Sequence, residues 1–325
     1  MAEQLDMFGG PPPRGVRPAA QAPRVLELAT RLRSDLRLGT SSWTFPGWKG
    51  LVYDGEVGTK SLVKDGLAAY ARHPLFRTVG VDRTYYAPVA VPVLKAYADV
   101  VPDDFRFLVK AHSGVTQARF GLDPRYGERA GQGNTNFLEV GYATDAVVGP
   151  FLEGLGPKAG VLLFQFPPQS LAVVGGPRGF PDRLHRFLSA LPKPTGEAVY
   201  AVEVRNPELM TTHYYAALRD VGVEACLNAL PNMPALPVQY AMSGGRERRA
   251  LVVRWMLHRT HDYAGAKAAF APFDRIVLED EGTRADLARI IAPVGVPTYV
   301  IVNNKAEGSS PQSILALVER LVAGA

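Results

Sequence analysis

Short runs of apolar and β-branched residues recur along the chain at LRLGTS (36–41), FRTVGVD (76–82), FRFLVKA (105–111), GVLLFQF (160–166), AVYAVEV (198–204), VEACLN (223–228), LVVRWM (251–256) and TYVIVN (298–303). Each has the length of a strand and predicts one. Between most of them, apolar residues recur at helical spacing: SLVKDGLAAYA, VPVLKAYADVV, DAVVGPFLEGL, DRLHRFLSAL, HYYAALRDVG, TRADLARIIAPVG and SPQSILALVERLV. Strands that alternate with helices pair in parallel through right-handed crossovers. Eight such units predict an α/β fold, a TIM-type (β/α)8 barrel over residues 25–325, with an open doubly wound sheet as the alternative. Residues 1–24 are rich in Pro, Gly, Ala and Arg, show neither period, and predict a disordered arm. The glycine-rich stretch QARFGLDPRYGERAGQGNTN (117–136) is long for a connection and predicts a lid, a substrate contact or a mobile loop.

Composition narrows this little. With 47% apolar and 21% charged residues in 325, the chain reads as an ordinary soluble globular protein. No apolar run approaches the ~20 residues that span a bilayer, and the start lacks a basic-then-apolar secretory pattern. Cys226 is the only cysteine, which fits a reducing compartment and excludes an intrachain disulfide. A cytoplasmic location is expected. The net charge of +5 permits an anionic partner without demonstrating one.

In a barrel, function gathers at the carboxyl ends of the strands. These ends read Thr40-Ser41-Ser42-Trp43, Asp82-Arg83-Thr84-Tyr85-Tyr86, Lys110 with His112, Gln165-Phe166-Pro167-Pro168, Glu203 with Arg205-Asn206-Pro207, Asn228, Arg254-Trp255 with His258 and Arg259 beyond, and Asn303-Asn304-Lys305. A polar exit into solvent is the plain alternative at any one end. Glu203 and Arg254 differ, because they lie inside apolar runs and must be paired or functional. A structural Glu203–Arg254 ion pair therefore stands beside the functional reading.

The segments GTSSWTFPGWKGLVY, TVGVDRTYYAP, DDFRFLVKAHSGVT, LLFQFPPQ, AVEVRNPE and VIVNNKAEGSSP occur in this order and spacing. Together they resemble the YecE-like family (domain of unknown function 72), from about Leu36 to Leu321. The resemblance implies a TIM-like barrel and no particular reaction. The chain departs from the family pattern at three places: Gly80-Val81-Asp82 replaces Glu-x-Asn, Arg205-Asn206-Pro207 replaces Arg-His-Pro, and Arg254-Trp255-Met256-Leu257 replaces Arg-x-His-Gly.

Lys110, Arg205 and Arg254, joined by Arg83 and His258, outnumber the carboxylates Glu203 and Asp82, so the mouth suits an anionic group. Glu203, Lys110 and Asp82 are the candidate catalytic residues. Beside cations Glu203 stays ionised and acts as a general base or orienting acceptor, while Lys110 alternatively forms a Schiff base. Substrate contacts are expected from Arg205, Arg254, Trp43, Tyr86, Gln165, Asn303, Asn304 and His258, with Trp48, Tyr85 and Trp255 as further stacking or packing aromatics. Gly308, Ser309 and Ser310 form a candidate phosphate loop, with Ser310 as N-cap and Pro311 as first helical residue. A plain capped helix is the alternative. Too few His, Asp and Glu gather for a two-metal centre; a single Mg²⁺ stays open, and no cofactor is named.

Gln4, Leu5, Asp6, Met7 and Phe8 resemble the Gln-Leu-x-Leu/Met-Phe peptides that dock replication and repair proteins on the bacterial DNA sliding clamp. Leu5, Met7 and Phe8 suit an apolar groove, and Gly9 to Pro13 form a spacer. Three readings follow. The first is an enzyme on a phosphate-bearing substrate, recruited to DNA by the clamp. The second is a metabolic lyase or isomerase on a phosphorylated or carboxylated sugar, and the third a non-catalytic, clamp-tethered nucleic-acid-binding module.

Overall fold

Backbone pairing follows the hydrophobic runs closely. The computed structural model describes residues 15–122, 124–244 and 248–324. Its strands are β1 (Leu36–Thr40), β2 (Thr78–Val81), β3 (Arg106–Lys110), β4 (Ala159–Phe166), β5 (Val199–Val204), β6 (Glu224–Ala225), β7 (Leu227–Ala229), β8 (Leu251–Trp255) and β9 (Thr298–Val302). Among the described residues they form two sheets of order β1-β9-β8-β7 and β2-β3-β4-β5-β6, with every pairing parallel. Helices occupy the crossovers, as parallel pairing requires.

Two points join the sheets. Only Cys226 separates β6 from β7, and its N–H donates to Val202 O at 2.8 Å, so the predicted sixth strand is one run broken at a single residue. Between β1 and β2 the pairing is a Leu38–Phe76 bridge with Arg77 N–H donating to Leu38 O at 3.1 Å. Gly39 makes this approach possible, because a Cβ there would lie 1.9 Å from Thr78 O. The sheets are not closed into one hydrogen-bonded ring.

Alternation along each strand divides the core. Leu108, Val161, Leu163, Val199, Ala201, Cys226, Ala250, Val252, Tyr299 and Ile301, drawn from both sheets, form one inner cluster. Their neighbours Phe107, Leu162, Tyr200, Val202, Leu251, Val253 and Val300 face the other way and pack in the larger cluster with the helices. The two sheets thus share a single inner core.

The expected disordered arm is corrected from Gly15 onward. Pro18 bridges Tyr53, Ala19 N–H donates to Val52 O at 2.9 Å, and Arg17 pairs with Asp54 at 2.8 Å. The helix Pro23–Thr30, with proline in its first turn, buries Val25, Leu28 and Ala29. Local charge and proline content hid this packing in the sequence. Gln4 to Phe8 lie outside the described residues. No helix among the described residues is long and apolar enough to cross a membrane.

Candidate functional site

Period-2 alternation decides which strand-end residues meet. The inner rows run 78-80-82 on β2, 108-110 on β3, 161-163-165 on β4, 199-201-203 on β5, 226-228 on β6 and β7, 250-252-254 on β8 and 299-301-303 on β9. At the amino-terminal side these rows are mostly apolar. At the carboxyl end they finish in Asp82, Lys110, Gln165, Glu203, Asn228, Arg254 and Asn303. Direct pairing sets Gln165 beside Glu203 and Asn228 beside Arg254.

Glu203 is the centre of the cluster. It is fully buried, and its two oxygens are divided: Oε1 accepts from Arg205 Nε at 2.8 Å and Oε2 from Arg254 Nη1 at 2.5 Å. Burial by itself raises the Glu203 pKa, but the charges and hydrogen bonds of Arg254 and Arg205 outweigh it and hold the carboxyl at about 2. Glu203 is therefore an orienting acceptor rather than a base. Burial disfavours the Arg254 cation too, and Glu203 and Asp82 overcome this, so its pKa is raised.

Asp82 Oδ1 stands 3.6 Å from Arg254 Nη2 and 4.0 Å from Lys110 Nζ, near enough for attraction and too far for a direct hydrogen bond. Lys110 is buried, with its ammonium 4.0 Å above the Tyr85 ring centroid. Burial pushes its pKa down, Asp82 resists and Arg254 assists, leaving it at about 8. A large fraction of Lys110 is thus a neutral amine in mildly alkaline solution. Of the three cations Arg205 is the most exposed, at 26% of its side chain against 8% for Lys110 and 1% for Arg254.

Several predicted contacts lie elsewhere. Arg254 turns inward to Glu203 and Asp82, as the ion-pair alternative requires. Trp43 is buried, its indole N–H donating to Leu62 O at 3.1 Å and its ring edge-on to Tyr97, which makes it a packing residue. Tyr86 is exposed and packs edge-on against Tyr85. His258 is buried against Phe270 and the half-buried His261, and its Nδ1 bonds Thr260 Oγ1 at 2.8 Å. No hydrogen bond among the described residues joins it to Glu203.

Asn303 and Asn304 line a cleft of about 220 Å³ with Ser41, Lys305 and Ser310. Asn303 Nδ2 donates to Ser41 Oγ at 3.2 Å. Asn304 Oδ1 accepts from Trp48 Nε1, from Ser310 N–H at 2.9 Å and from Ser310 Oγ at 2.6 Å. The helix begins at Ser310 with Ser309 as N-cap, one residue earlier than expected. Gly308 N–H goes to Asn304 O at 2.7 Å, and a Cβ on Gly308 would meet Arg275 O at 2.4 Å. The phosphate-loop N–H groups of Gly308 and Ser310 are thus already used internally, which matches the capped-helix alternative.

Tyr85, expected as a stacking or packing aromatic, lies under the Lys110 ammonium, and Asn228, expected only as a polar strand end, pairs beside Arg254. Asn228 Nδ2 donates to Val204 O at 3.0 Å, its backbone N–H is held by buried Gln239, and its Oδ1 has no hydrogen-bond partner among the described residues. The signal was present: Asn228 interrupts an apolar strand on the same parity as Cys226.

Comparison with known proteins agrees with this architecture. A DUF72-family protein from Thermotoga maritima MSB8 superposes with a TM-score of 0.58 at 21% identity, covering 88% of this chain and 98% of that one. One from Enterococcus faecalis V583 gives 0.56 at 17% identity, covering 89% and 95%. At these identities the likeness concerns the fold alone. No curated protein matches the chain. The profile described as "Protein of unknown function DUF72" matches residues 37–325, nearly everything from β1 onward, and the chain belongs to the DUF72 family.

Proposed function

We propose that the polar strand ends form the mouth of a TIM-type (β/α)8 barrel, and that this mouth acts on a substrate bearing a phosphate or carboxylate. The barrel reading is supported by the inner core that the two sheets share, the Leu38–Phe76 bridge and the single-residue break between β6 and β7. One observation carries the functional reading: buried Glu203 divides its oxygens between Arg205 and Arg254, which holds Arg205 part-exposed within electrostatic reach of Lys110. Three cations stand against two carboxylates, so an anionic substrate group completes the charge balance. Lys110, which keeps its proton at neutral pH and is held further in the ammonium form by a bound anion, serves as a cationic contact to that group.

In this reading Gln4 to Phe8 recruit the protein to a bacterial sliding clamp in the cytoplasm, for DNA repair or processing. Its support is the peptide pattern and the Gly/Pro spacer behind it. The test of the mouth is equilibrium binding of phosphate monoesters to the full chain and to Arg205→Gln. Loss of one charge-assisted hydrogen bond predicts about tenfold weaker binding. Equal affinity of the two proteins contradicts the assignment.

A further inference from the structure

We propose that the cleft of about 220 Å³ beside the mouth takes a hydroxylated ring, the sugar portion of the substrate whose anionic group meets the mouth cations; the assignment rests on the reading of the mouth given above. The cleft lies between the carboxyl ends of β1 and β9, with Ser42 and Thr44 on one side and Asn304 and Lys305 on the other. Asn303 N–H donates to Trp255 O at 2.9 Å, so this wall adjoins the carboxyl end of β8, the strand that carries Arg254. Cleft and mouth therefore open at the same end of the strands.

Two donors in the cleft lack acceptors. Asn304 Oδ1 takes three hydrogen bonds, from Trp48 Nε1 at 3.3 Å, Ser310 N–H at 2.9 Å and Ser310 Oγ at 2.6 Å. The indole and the backbone amide only donate, so the orientation of the Asn304 amide is fixed and its Nδ2 is turned away from them. That Nδ2 meets no acceptor among the described residues and is not sealed from solvent. Lys305 is half-buried, and its ammonium stands 4.3 Å from the Tyr263 ring centroid and 5.4 Å from that of Phe273. Among the described residues it has neither a carboxylate partner nor a hydrogen-bond acceptor, and none of those lining the cleft is a carboxylate.

Neutral oxygens suit these donors better than an anion. Lys305 is a single cation with no arginine beside it in the cleft, and the N–H groups of Gly308 and Ser310 are already bonded to Asn304, so the three mouth cations hold an anion more strongly. Ser42 Oγ and Thr44 Oγ1 stand 2.9 Å apart and share one hydrogen bond, which leaves one hydroxyl proton and further lone pairs for a ligand. Sugar hydroxyls both give and accept, as this lining requires. The apolar wall adds shape: the half-buried rings of Phe45 and Phe273 lie 6.1 Å apart at 74°, a corner and not the parallel slot that a flat base fills. Phe273 sits at φ 67°, a left-handed conformation that a residue with a bulky side chain keeps only when its surroundings impose it, and its N–H donates to Phe270 O at 2.9 Å. A puckered ring lays its C–H faces on such a corner while its hydroxyls reach Lys305 and Asn304.

Calorimetric titration of the full chain with ribose 5-phosphate, glucose 6-phosphate, phenyl phosphate and inorganic phosphate tests the assignment. At least one sugar phosphate is expected to bind about tenfold more tightly than inorganic phosphate and phenyl phosphate. Lys305→Met is expected to weaken that sugar phosphate about tenfold, and Thr44→Val, which replaces the hydroxyl by a methyl group, about threefold, with inorganic phosphate unchanged in both. Sugar phosphates no tighter than inorganic phosphate, phenyl phosphate as tight as the sugars, or sugar phosphate affinity unchanged in both variants overturns the assignment and leaves the reading of the mouth standing. Loss of inorganic phosphate binding in Lys305→Met overturns it as well, because the anion then lies in the cleft. Failure of all four compounds to bind overturns the reading of the mouth and this assignment with it.

Discussion

Replacing Glu203 by Gln keeps the size of the side chain and removes the charge that balances Arg205 and Arg254. Because Glu203 is fully buried, no solvent screening softens the loss. Holding its carboxyl near 2 rather than 4.5 corresponds to about 3 kcal/mol of folding stability at neutral pH. That agrees with the roughly 3–5 kcal/mol for breaking a buried ion pair, at the low end because Arg254 keeps Asp82 at 3.6 Å. For a chain of this length the fall in Tm is roughly 4–6 °C. The sign with pH follows: a depressed carboxyl pKa stabilises fully above the unfolded value and loses that contribution as pH falls toward the folded one. Urea denaturation of both proteins between pH 7 and pH 2 is therefore expected to show a gap that is full at neutral pH and closes in acid. A variant as stable as the parent at pH 7, or a gap undiminished at pH 2, refutes the reasoning.

Lys110→Met is expected to raise Tm at pH 7, because the parent bears the cost of a buried ammonium there. The cost fades as pH rises from about 8 toward 10.5, so the difference narrows in alkali, and equal melting at pH 7 contradicts the assigned pKa. Deletion of residues 1–22 is expected to lower Tm by several degrees, since it removes the Pro18–Tyr53 pairing and the Arg17–Asp54 contact; unchanged melting contradicts the packing described. A peptide of residues 1–15 is expected to bind a bacterial sliding clamp at ~micromolar affinity by fluorescence anisotropy, and Leu5→Ala with Phe8→Ala to abolish it. Failure of the unmodified peptide to bind at high micromolar clamp concentration counts against recruitment.

Much of the scaffold was legible because period 2 and period 3.6 are properties of the sequence itself. Seven predicted strands appear as continuous strands, and the eighth, at 223–228, differs only in its break at Cys226. The helices Leu236–Met242 and Tyr263–Phe270 carry no clear period in the sequence, the first because Pro234 precedes it and Pro237 lies in its first turn, the second because its alanines give little contrast between faces. Position at the carboxyl ends of the predicted strands groups Asp82, Lys110, Glu203 and Arg254 in the sequence, and period-2 parity accounts for their meeting in the fold. What parity cannot give is direction beyond the strand. His258 lies in a loop and packs on Phe270, Trp43 folds back onto Leu62, and Ser310 is held by Asn304 across a turn. These outcomes depend on tertiary partners that no local pattern specifies.

The proposed function requires an anion to bind beside Lys110. NMR titration of the Lys110 ε-carbon in ¹³C-lysine-labelled protein, with and without saturating inorganic phosphate, tests it at the atom concerned. A pKa of about 8 is expected without phosphate and a clear rise with it, because a bound anion stabilises the ammonium, and Arg205→Gln is expected to remove the rise. A Lys110 titration identical in the presence and absence of phosphate would contradict it.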